Sequence, residues 1–327
     1  MGMNGNFWKR KKVLVTGYEG FLGSNLTREL IRLKSAVSGL DIVTRRKHTV
    51  LSGDFDKIRI YKGSVEDFDL VSKIMADNRI EIIFHLAATS IVGDALCNPL
   101  KAFSTNICGT WNILEAARKN KLVKAVIIAS SDKAYGSQSK LPYREDSPLS
   151  GSHPYDASKS CADILASTYY HTYGLPVSVT RCGNIYGPGD LNFSRIVPDA
   201  LRCIKQNKTL IIRSDGKFTR DYIYVEDIVS AYLLLAFRMR DSSIKGEAFN
   251  FSNESPLSVL ALLKKIYRYA GVNPGYKITG QAKYEIKHQY LCAAKARRLL
   301  MWRPRYNLDD GLGETIKWYK DYFAKKY

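Results

Sequence analysis

The stretch KVLVTGYEGFLG (residues 12–23) decides the fold of this 327-residue chain. A short β-branched run ends at Gly17, and Gly20 and Gly23 follow at the start of a segment whose leucines recur at helical spacing. Glycines between a strand and a helix let the backbone approach a pyrophosphate, which then lies on the helix N-terminus. The stretch therefore predicts a dinucleotide-binding turn, although a plain glycine-rich turn would have the same composition.

Short apolar runs continue through the first half of the chain, with helical patterns between most of them. They are SAVSGLD (35–41), KIRIYKG (57–63), IEIIFHLAA (80–88) and KAVIIASS (124–131). Apolar strands that alternate with helices predict an α/β fold, a Rossmann-like doubly wound parallel sheet covered by helices on both faces.

The rhythm of the sequence changes after GNIYGPGD (183–190), where glycine and proline mark a loop. We predict a Rossmann domain over residues 1–185 plus about 222–252, where RDYIYVEDI and EAFNFS return to the main sheet. A smaller C-terminal substrate-binding lobe takes residues from about 186 to 221 and from 253 to 327.

Asp41 ends the second apolar run, where dinucleotide-binding folds place an acidic residue. Its carboxylate would accept hydrogen bonds from the adenosine ribose and would repel a 2′-phosphate, which favours NAD over NADP. Arg45 and Arg46 follow closely and would soften that preference. The predicted cofactor is NAD.

The chain is strongly basic, with 50 Lys and Arg against 31 Asp and Glu and a net charge of +19. Its tightest basic clusters, KRKK (9–12) and RRK (45–47), carry no interleaved aromatic residues, which favours a solvated basic surface over nucleic-acid binding. The six cysteines form no CxxC pair, so neither a zinc site nor a disulfide framework is predicted. Without a signal-like or membrane-spanning run, we expect a soluble cytoplasmic protein without metal.

Tyr155 and Lys159 are four residues apart in a helical pattern and share one face of that helix. An ammonium group near a phenol stabilises the phenolate and lowers its pKa from about 10. Such a phenolate can take a proton from a sugar hydroxyl while hydride leaves the same carbon. An ordinary surface pair has the same spacing.

Taken together, TGYEGFLG, FHLAA, Asn106 with Gly109–Thr110, the strand end SSDKAYG (130–136) and YDASK (155–159) resemble the extended short-chain dehydrogenases/reductases, over nearly the whole chain. SSDKAYG, YDASKSCAD, LNFSRIVPDALR and IKHQYLCAAKARRLLMWRPRY are most similar to CDP-glucose 4,6-dehydratases. One departure is GYEGFLGS, where those enzymes usually carry a basic residue before the last glycine.

The resemblance implies that Asp132 and Lys133 remove water from the sugar. After oxidation at C4 the C5 proton is acidic, so Lys133 in its neutral form would take it while Asp132 protonates the departing C6 hydroxyl. Ser131 would hold the C4 hydroxyl beside Tyr155. Asp-Lys also resembles inverting UDP-N-acetylglucosamine dehydratases, and a surface ion pair is the structural alternative.

The same resemblance assigns the remaining contacts. Cofactor contacts are expected from Gly17, Gly20, Phe21, Leu22, Gly23, Asp41, Ser64, Val65, Leu86, Ala87, Ala88, Asn106, Tyr155, Lys159 and Cys182. Contacts with the nucleotide sugar are expected from Ser90, Asn184, Asn192, Arg195, Val197, Arg213, Arg220, Gln289 and Tyr290.

The resemblance also implies a homodimer packed through the helices of residues 102–118 and Tyr155. The favoured reaction is the conversion of CDP-glucose to CDP-4-keto-6-deoxyglucose. An NAD-dependent UDP- or GDP-sugar 4-epimerase or dehydratase is the enzymatic alternative, and a non-catalytic RNA-binding protein is the alternative of another class.

Overall fold

A computed structural model describes residues 5–281 and 285–326 of the chain. Its strands are β1 (Lys12–Thr16), β2 (Ala36–Asp41), β3 (Arg59–Lys62), β4 (Ile82–His85), β5 (Ala125–Ala129), β6 (Val177–Cys182), β7 (Asn184–Tyr186), β8 (Leu210–Ile212), β9 (Thr219–Arg220), β10 (Tyr222–Tyr224), β11 (Ala248–Phe251), β12 (Leu257–Ser258), β13 (Tyr276–Ile278) and β14 (His288–Gln289).

The helices lie between and after these strands. They are α1 (Gly5–Trp8), α2 (Phe21–Arg32), α3 (Phe68–Asp77), α4 (Val92–Cys97), α5 (Pro99–Phe103), α6 (Gly109–Lys119), α7 (Pro154–Tyr173), α8 (Ile196–Lys205), α9 (Val225–Arg238), α10 (Val259–Ala270) and α11 (Leu308–Lys326). Short 3₁₀ turns span Phe55–Lys57, Asp132–Tyr135 and Ser242–Ile244, and π turns span Ser104–Cys108 and Ala296–Leu300. None of the helices in residues 5–281 and 285–326 is long and apolar enough to cross a membrane.

Seven parallel strands form the main sheet, in the order β11-β6-β5-β4-β1-β2-β3. Each face of this sheet has its own hydrophobic core, and neighbouring side chains of β1 belong to different cores. Val13 and Val15 pack with α2 and α9 in the first core, whereas Leu14 packs with α3, α6 and α7 in the second. A parallel sheet buried on both faces needs apolar residues at every strand position, which explains the unbroken apolar runs of the sequence. The predicted doubly wound α/β fold is confirmed.

Residues 222–224 differ from the prediction, because they do not join the main sheet. They pair in parallel with Asn184–Tyr186 in a separate two-stranded sheet, whereas Ala248–Phe251 does join the main sheet beside β6. β6 already has β5 on its other side, so it offers no free edge to a further strand. A third core, built mainly from α8, α10 and α11, surrounds this small sheet. The domain boundaries stay a prediction.

The glycine turn depends on a close approach between α2 and the end of β1. A Cβ atom on Gly23 would collide with the carbonyl group of Gly17, which is backbone and cannot turn aside. Gly17 itself has a φ of 71°, and a Cβ there would lie 2.8 Å from the backbone nitrogen of Ala87. The turn therefore requires glycine at both positions.

We expect Gly23→Ala to lower the free energy of unfolding by about 1–3 kcal/mol or more, the usual cost of an overpacked site. Gly313→Ala is the matched control, because Gly313 is also helical but has no heavy atom within 4 Å of its Cβ position. It should be neutral or stabilising by roughly 0.5–1 kcal/mol. Urea unfolding measures both, and equal stability of the two variants would contradict the proposed close approach.

Candidate active site

The candidate site lies along one edge of the main sheet. Parallel strands present their carboxyl ends at the same edge, and ligands of such sheets bind there, where the strand order reverses. Most side chains predicted at the cofactor are the last residue of a parallel strand, follow such a strand or begin α2; they are Phe21, Leu22, Asp41, Ser64, Val65, Leu86, Ala87, Ala88 and Cys182.

Asp41 ends β2 and is held by backbone groups on either side. Its Oδ2 accepts from the N–H of Glu19 at 3.1 Å, and its Oδ1 accepts from the N–H of Val43 at 3.2 Å. Burial raises the pKa of this carboxyl group, while these hydrogen bonds and the charge of Arg46 act in the opposite direction. Each carboxylate oxygen can still accept a further hydrogen bond, as a ribose diol requires.

Asp132 is buried directly after β5. The hydroxyl of Ser131 donates to its Oδ1 at 3.0 Å, but its Oδ2 has no hydrogen-bond partner among the described residues. Only 2% of the residue is exposed, so this is not a surface carboxylate. Burial raises its pKa, and the positive charges of Lys133 and Arg220 oppose that shift only in part. The arrangement favours a protonated carboxylic acid with one free oxygen.

Lys133 is fixed by a residue that is distant in the sequence. Its Nζ donates to Oε1 of Gln289 at 3.2 Å, and Gln289 is completely buried. Pairing of β14 with β9 carries Gln289 to this position from the C-terminal part of the chain. The Nε2 of Gln289 is buried and has no partner among residues 5–281 and 285–326. An amide donor is therefore left free beside the lysine.

Tyr155 and Lys159 lie in the first turns of α7, where Lys159 is buried and Tyr155 is partly buried. The Nζ of Lys159 donates to the carbonyl of Ala129 at 2.7 Å and lies 5.9 Å from the centre of the Tyr155 ring. Burial raises the pKa of Tyr155 to about 12, and burial lowers the pKa of Lys159 to about 8. The predicted lowering of the tyrosine pKa is wrong in this structure, because desolvation outweighs the opposing charge of Arg195 and the hydrogen bond from Ser131.

Asn106 and His85 are buried and make hydrogen bonds within the protein, and the predicted contact of Asn106 with the cofactor stays a prediction. Asn106 accepts from the N–H of Thr89 at 2.7 Å and donates to the hydroxyl of Ser158 at 2.8 Å, which ties the π turn to α7. His85 lies between the hydroxyl groups of Thr16 and Thr110, and its burial lowers its pKa to about 3. The FHLAA motif predicted no role for His85.

Two arginines that were predicted to bind the substrate affect the pKa values of Tyr155 and Asp132 through their positive charge. Arg195 pairs with Asp190 at 3.2 Å, and its charge lowers the pKa of Tyr155. Arg220 is mostly buried, donates to the carbonyls of Thr219 and Lys287, and acts on Asp132.

The other predicted substrate residues are more scattered. Val197 is buried in the third core, whereas Arg213 and Ser90 are exposed, and Asn184, Asn192 and Tyr290 are partly buried. The structure thus brings together Ser131, Asp132, Lys133, Tyr155, Arg195, Arg220 and Gln289. Within the described ranges, no three His, Cys, Asp or Glu side chains are grouped to hold a metal ion.

Known proteins resemble this chain along nearly its whole length. The model of the NAD dependent epimerase/dehydratase family matches residues 13–251. CDP-glucose 4,6-dehydratase of Salmonella typhimurium is 32% identical, over 96% of this chain and 92% of the relative. UDP-glucose 4-epimerase of Lactobacillus helveticus is 29% identical, over 95% and 98%. A dTDP-glucose 4,6-dehydratase from Bacillus anthracis, solved in complex with NAD, superimposes with a TM-score of 0.84 at 27% identity and covers 95% of this chain and 97% of its own.

NAD fits the residues that are present. Gly17, Gly20 and Gly23 carry no side chains where β1 meets the N-terminus of α2, so backbone N–H groups there can face a pyrophosphate. Asp41 keeps acceptor capacity for a ribose. The cofactor of this chain is NAD.

We expect Asp132→Asn to stabilise the folded protein at pH 8 by about 0.5–2 kcal/mol, as is common when a strained functional group is relieved. The folded-state pKa of Asp132 lies above the unfolded value, so the charged form is disfavoured on folding. That cost is full above the folded pKa and disappears below the unfolded pKa of about 3.9.

Urea unfolding at pH 8 and at pH 5 measures this dependence, and the gain should be smaller at pH 5. Asp146→Asn is the control, because Asp146 is an exposed carboxylate fourteen residues further along the chain. A loss of stability in Asp132→Asn at pH 8 would show that the carboxylate is well accommodated in its charged form.

Proposed function

Because the chain belongs to the NAD dependent epimerase/dehydratase family, we propose that it is a nucleotide-sugar 4,6-dehydratase, a hydro-lyase that converts CDP-glucose to CDP-4-keto-6-deoxyglucose. The observation that carries this proposal is the buried Asp132, with one free oxygen and a raised pKa, beside the tethered amine of Lys133. An epimerase needs no acid and base beyond those acting at C4. A dehydratase needs a second pair.

NAD, when bound, supplies the acceptor for the hydride of C4 and returns it at C6. The phenolate of Tyr155 takes the proton of the C4 hydroxyl, and Ser131 orients that hydroxyl. The positive charge of Arg195 and the hydrogen bond of Ser131 favour the phenolate against the effect of burial. Tyr155 and Ser131, with Lys159 beside the tyrosine ring, would perform the C4 oxidation that an epimerase shares.

Elimination then falls to the residues at the end of β5. Lys133, in its neutral form, would take the C5 proton, and the carboxyl group of Asp132, in its protonated form, would protonate the C6 hydroxyl, which leaves as water. Lys133 returns its proton to C5 when hydride arrives at C6. Gln289 holds Lys133 in place, and its free Nε2 is available to a sugar oxygen. Substrate and product therefore differ by one water, and the cofactor is regenerated.

Recognition of the cytidine nucleotide is proposed from the similarity of this chain to a CDP-glucose 4,6-dehydratase. Its supports are the 32% identity to a CDP-glucose 4,6-dehydratase and the segment LNFSRIVP (191–198), in which the charge of Arg195 opposes the rise in the pKa of Tyr155. Arg220 adds a mostly buried positive charge to the same region, which suits a diphosphate. Arg213 is exposed and is assigned to the outer part of the nucleotide site.

The function is tested by incubating the protein with the CDP, UDP, GDP and dTDP forms of glucose and following each product by mass spectrometry. We expect loss of one water from CDP-glucose without net formation of NADH. Lys133→Met should lower kcat by about 10²–10⁴-fold, the usual contribution of an acid–base group. Lys140→Met, at an exposed lysine of the following loop, is the matched control and should be unchanged.

Three outcomes would change the proposal. Loss of water from another nucleotide sugar would keep the chemistry and replace the substrate. A change of sugar configuration at constant mass would replace dehydration by 4-epimerisation. Salt-sensitive binding of RNA without turnover of any sugar would leave a non-catalytic protein.

We further propose a homodimer formed through α6 and α7. These helices pack against each other and expose large apolar side chains, of which Trp111 is 45% and Ile164 is 55% accessible. Leu100, on the neighbouring α5, is 80% accessible. Soluble monomers rarely leave such side chains grouped on adjacent helices, because their exposure to water is unfavourable.

Combined Trp111→Asp and Ile164→Asp substitutions should convert the dimer to a monomer, because a carboxylate buried at an apolar interface is strongly destabilising. Size-exclusion chromatography with light scattering measures the mass. Met301→Asp, at an exposed apolar residue elsewhere on the surface, is the control and should stay dimeric. A monomeric wild-type protein at micromolar concentration would contradict the proposal.

The six cysteines are all free thiols. Thiols of this kind are maintained in reducing compartments, where disulfides are rare. A cytoplasmic location is therefore part of the proposal.

A further inference from the structure

Glu19 is a buried acidic residue inside the glycine turn, and neither the sequence patterns nor the proposed reaction gives it a role. It is only 3% exposed. One carboxylate oxygen accepts from the backbone N–H of Arg45, and the other accepts from the N–H of Arg46 at 3.3 Å. Its own N–H donates to Asp41. Glu19 therefore joins the turn after β1 to the end of β2 and to the loop that follows.

Two carboxylates consequently lie together where β2 ends. Burial raises the pKa of Glu19 and that of Asp41, and the charge of Asp41 adds to the shift of Glu19. The cations of the loop lie further out. Arg45 and Arg46 are both exposed, and the guanidinium of Arg45 is directed to Asp56, 3.5 Å away.

The backbone of this loop would otherwise be an anion site. Consecutive N–H groups that point to one place bind phosphate oxygens in many proteins. Here Glu19 occupies the N–H groups of Arg45 and Arg46 as their acceptor. A phosphate group at this position would meet two carboxylates in place of two donors.

We propose that Glu19 is a specificity-determining residue that makes this site reject a 2′-phosphate on the adenosine ribose and hence select NAD over NADP. Asp41 alone leaves the arginines free to balance its charge. Glu19 adds a second negative charge and occupies the backbone N–H groups that could otherwise bind a phosphate. Binding of a 2′-phosphate is therefore unfavourable although two arginines are adjacent. The proposal concerns cofactor choice and does not depend on which sugar is the substrate.

Glu19→Gln tests this, because the amide keeps nearly the same size and loses the charge. Calorimetry gives dissociation constants for NAD and NADP on the cofactor-free protein, without any need for turnover. We expect the wild type to bind NAD at least about 100-fold more tightly than NADP. In Glu19→Gln this ratio of the two dissociation constants should fall at least about ten-fold, because NADP binds more tightly. The dissociation constant for NAD itself should change less than about three-fold. Adding Arg46→Ala to Glu19→Gln should reverse part of the gain.

Glu29→Gln is the matched control, since Glu29 is a carboxylate in the last turns of α2 that pairs with Arg32. Its NAD to NADP ratio should equal that of the wild type. Equal weakening of both cofactors in Glu19→Gln would overturn the proposal and leave Glu19 a purely structural role. Wild-type affinity for NADP equal to that for NAD would overturn it as well.

Glu19→Gln could fail to fold, which the loss of a cooperative thermal transition would show. In that case, hydrogen exchange on the wild-type protein tests the proposal. Peptides covering residues 44–48 should contain two slowly exchanging amides, those of Arg45 and Arg46, which Glu19 binds. Exchange of both at the rate of an unprotected loop would show that the backbone donors are available to a phosphate, and would overturn the proposal.

Discussion

The missing side chain of Gly23 is the constraint on which the structure depends. The carbonyl group of Gly17 lies where a Cβ of residue 23 would have to be, so the first helix starts directly against the end of the first strand. That contact fixes the helix N-terminus over the edge of the sheet. It also fixes the intervening residues, including Glu19, whose carboxylate holds the loop after β2. The cofactor turn and the loop that limits it are one hydrogen-bonded unit.

The second half of the site depends on buried polar groups that the Rossmann half cannot satisfy alone. Asp132 and Lys133 follow the end of β5, where Asp132 is buried and Lys133 is partly buried. Gln289 accepts a hydrogen bond from Lys133, while Asp132 and Gln289 each keep one polar atom that has no partner in the described part of the chain. Buried groups without partners cost stability, and they are typical of sites that complete their hydrogen bonds with a substrate.

Two arginines contribute positive charge to the candidate site. Arg195 and Arg220 act on Tyr155 and Asp132, and both belong to the segment between β7 and β10. Burial raises the pKa of both Tyr155 and Asp132, and these positive charges oppose the rise in both. The charges therefore limit an effect of burial that favours the protonated form of each group.

The sequence by itself determined the fold class and the cofactor, and it predicted which side chains take part in the reaction. These are local properties: a glycine spacing, apolar runs suited to a parallel sheet and a Tyr–Lys pair on one helical turn depend on residues that are near in the chain. The tertiary structure decided the rest. It joined Lys133 to Gln289, paired residues 222–224 outside the main sheet, raised the pKa of Tyr155 and gave Glu19 its two backbone donors. Each of these four features depends on burial or on a partner far along the chain. A local sequence pattern contains information about neither burial nor distant partners.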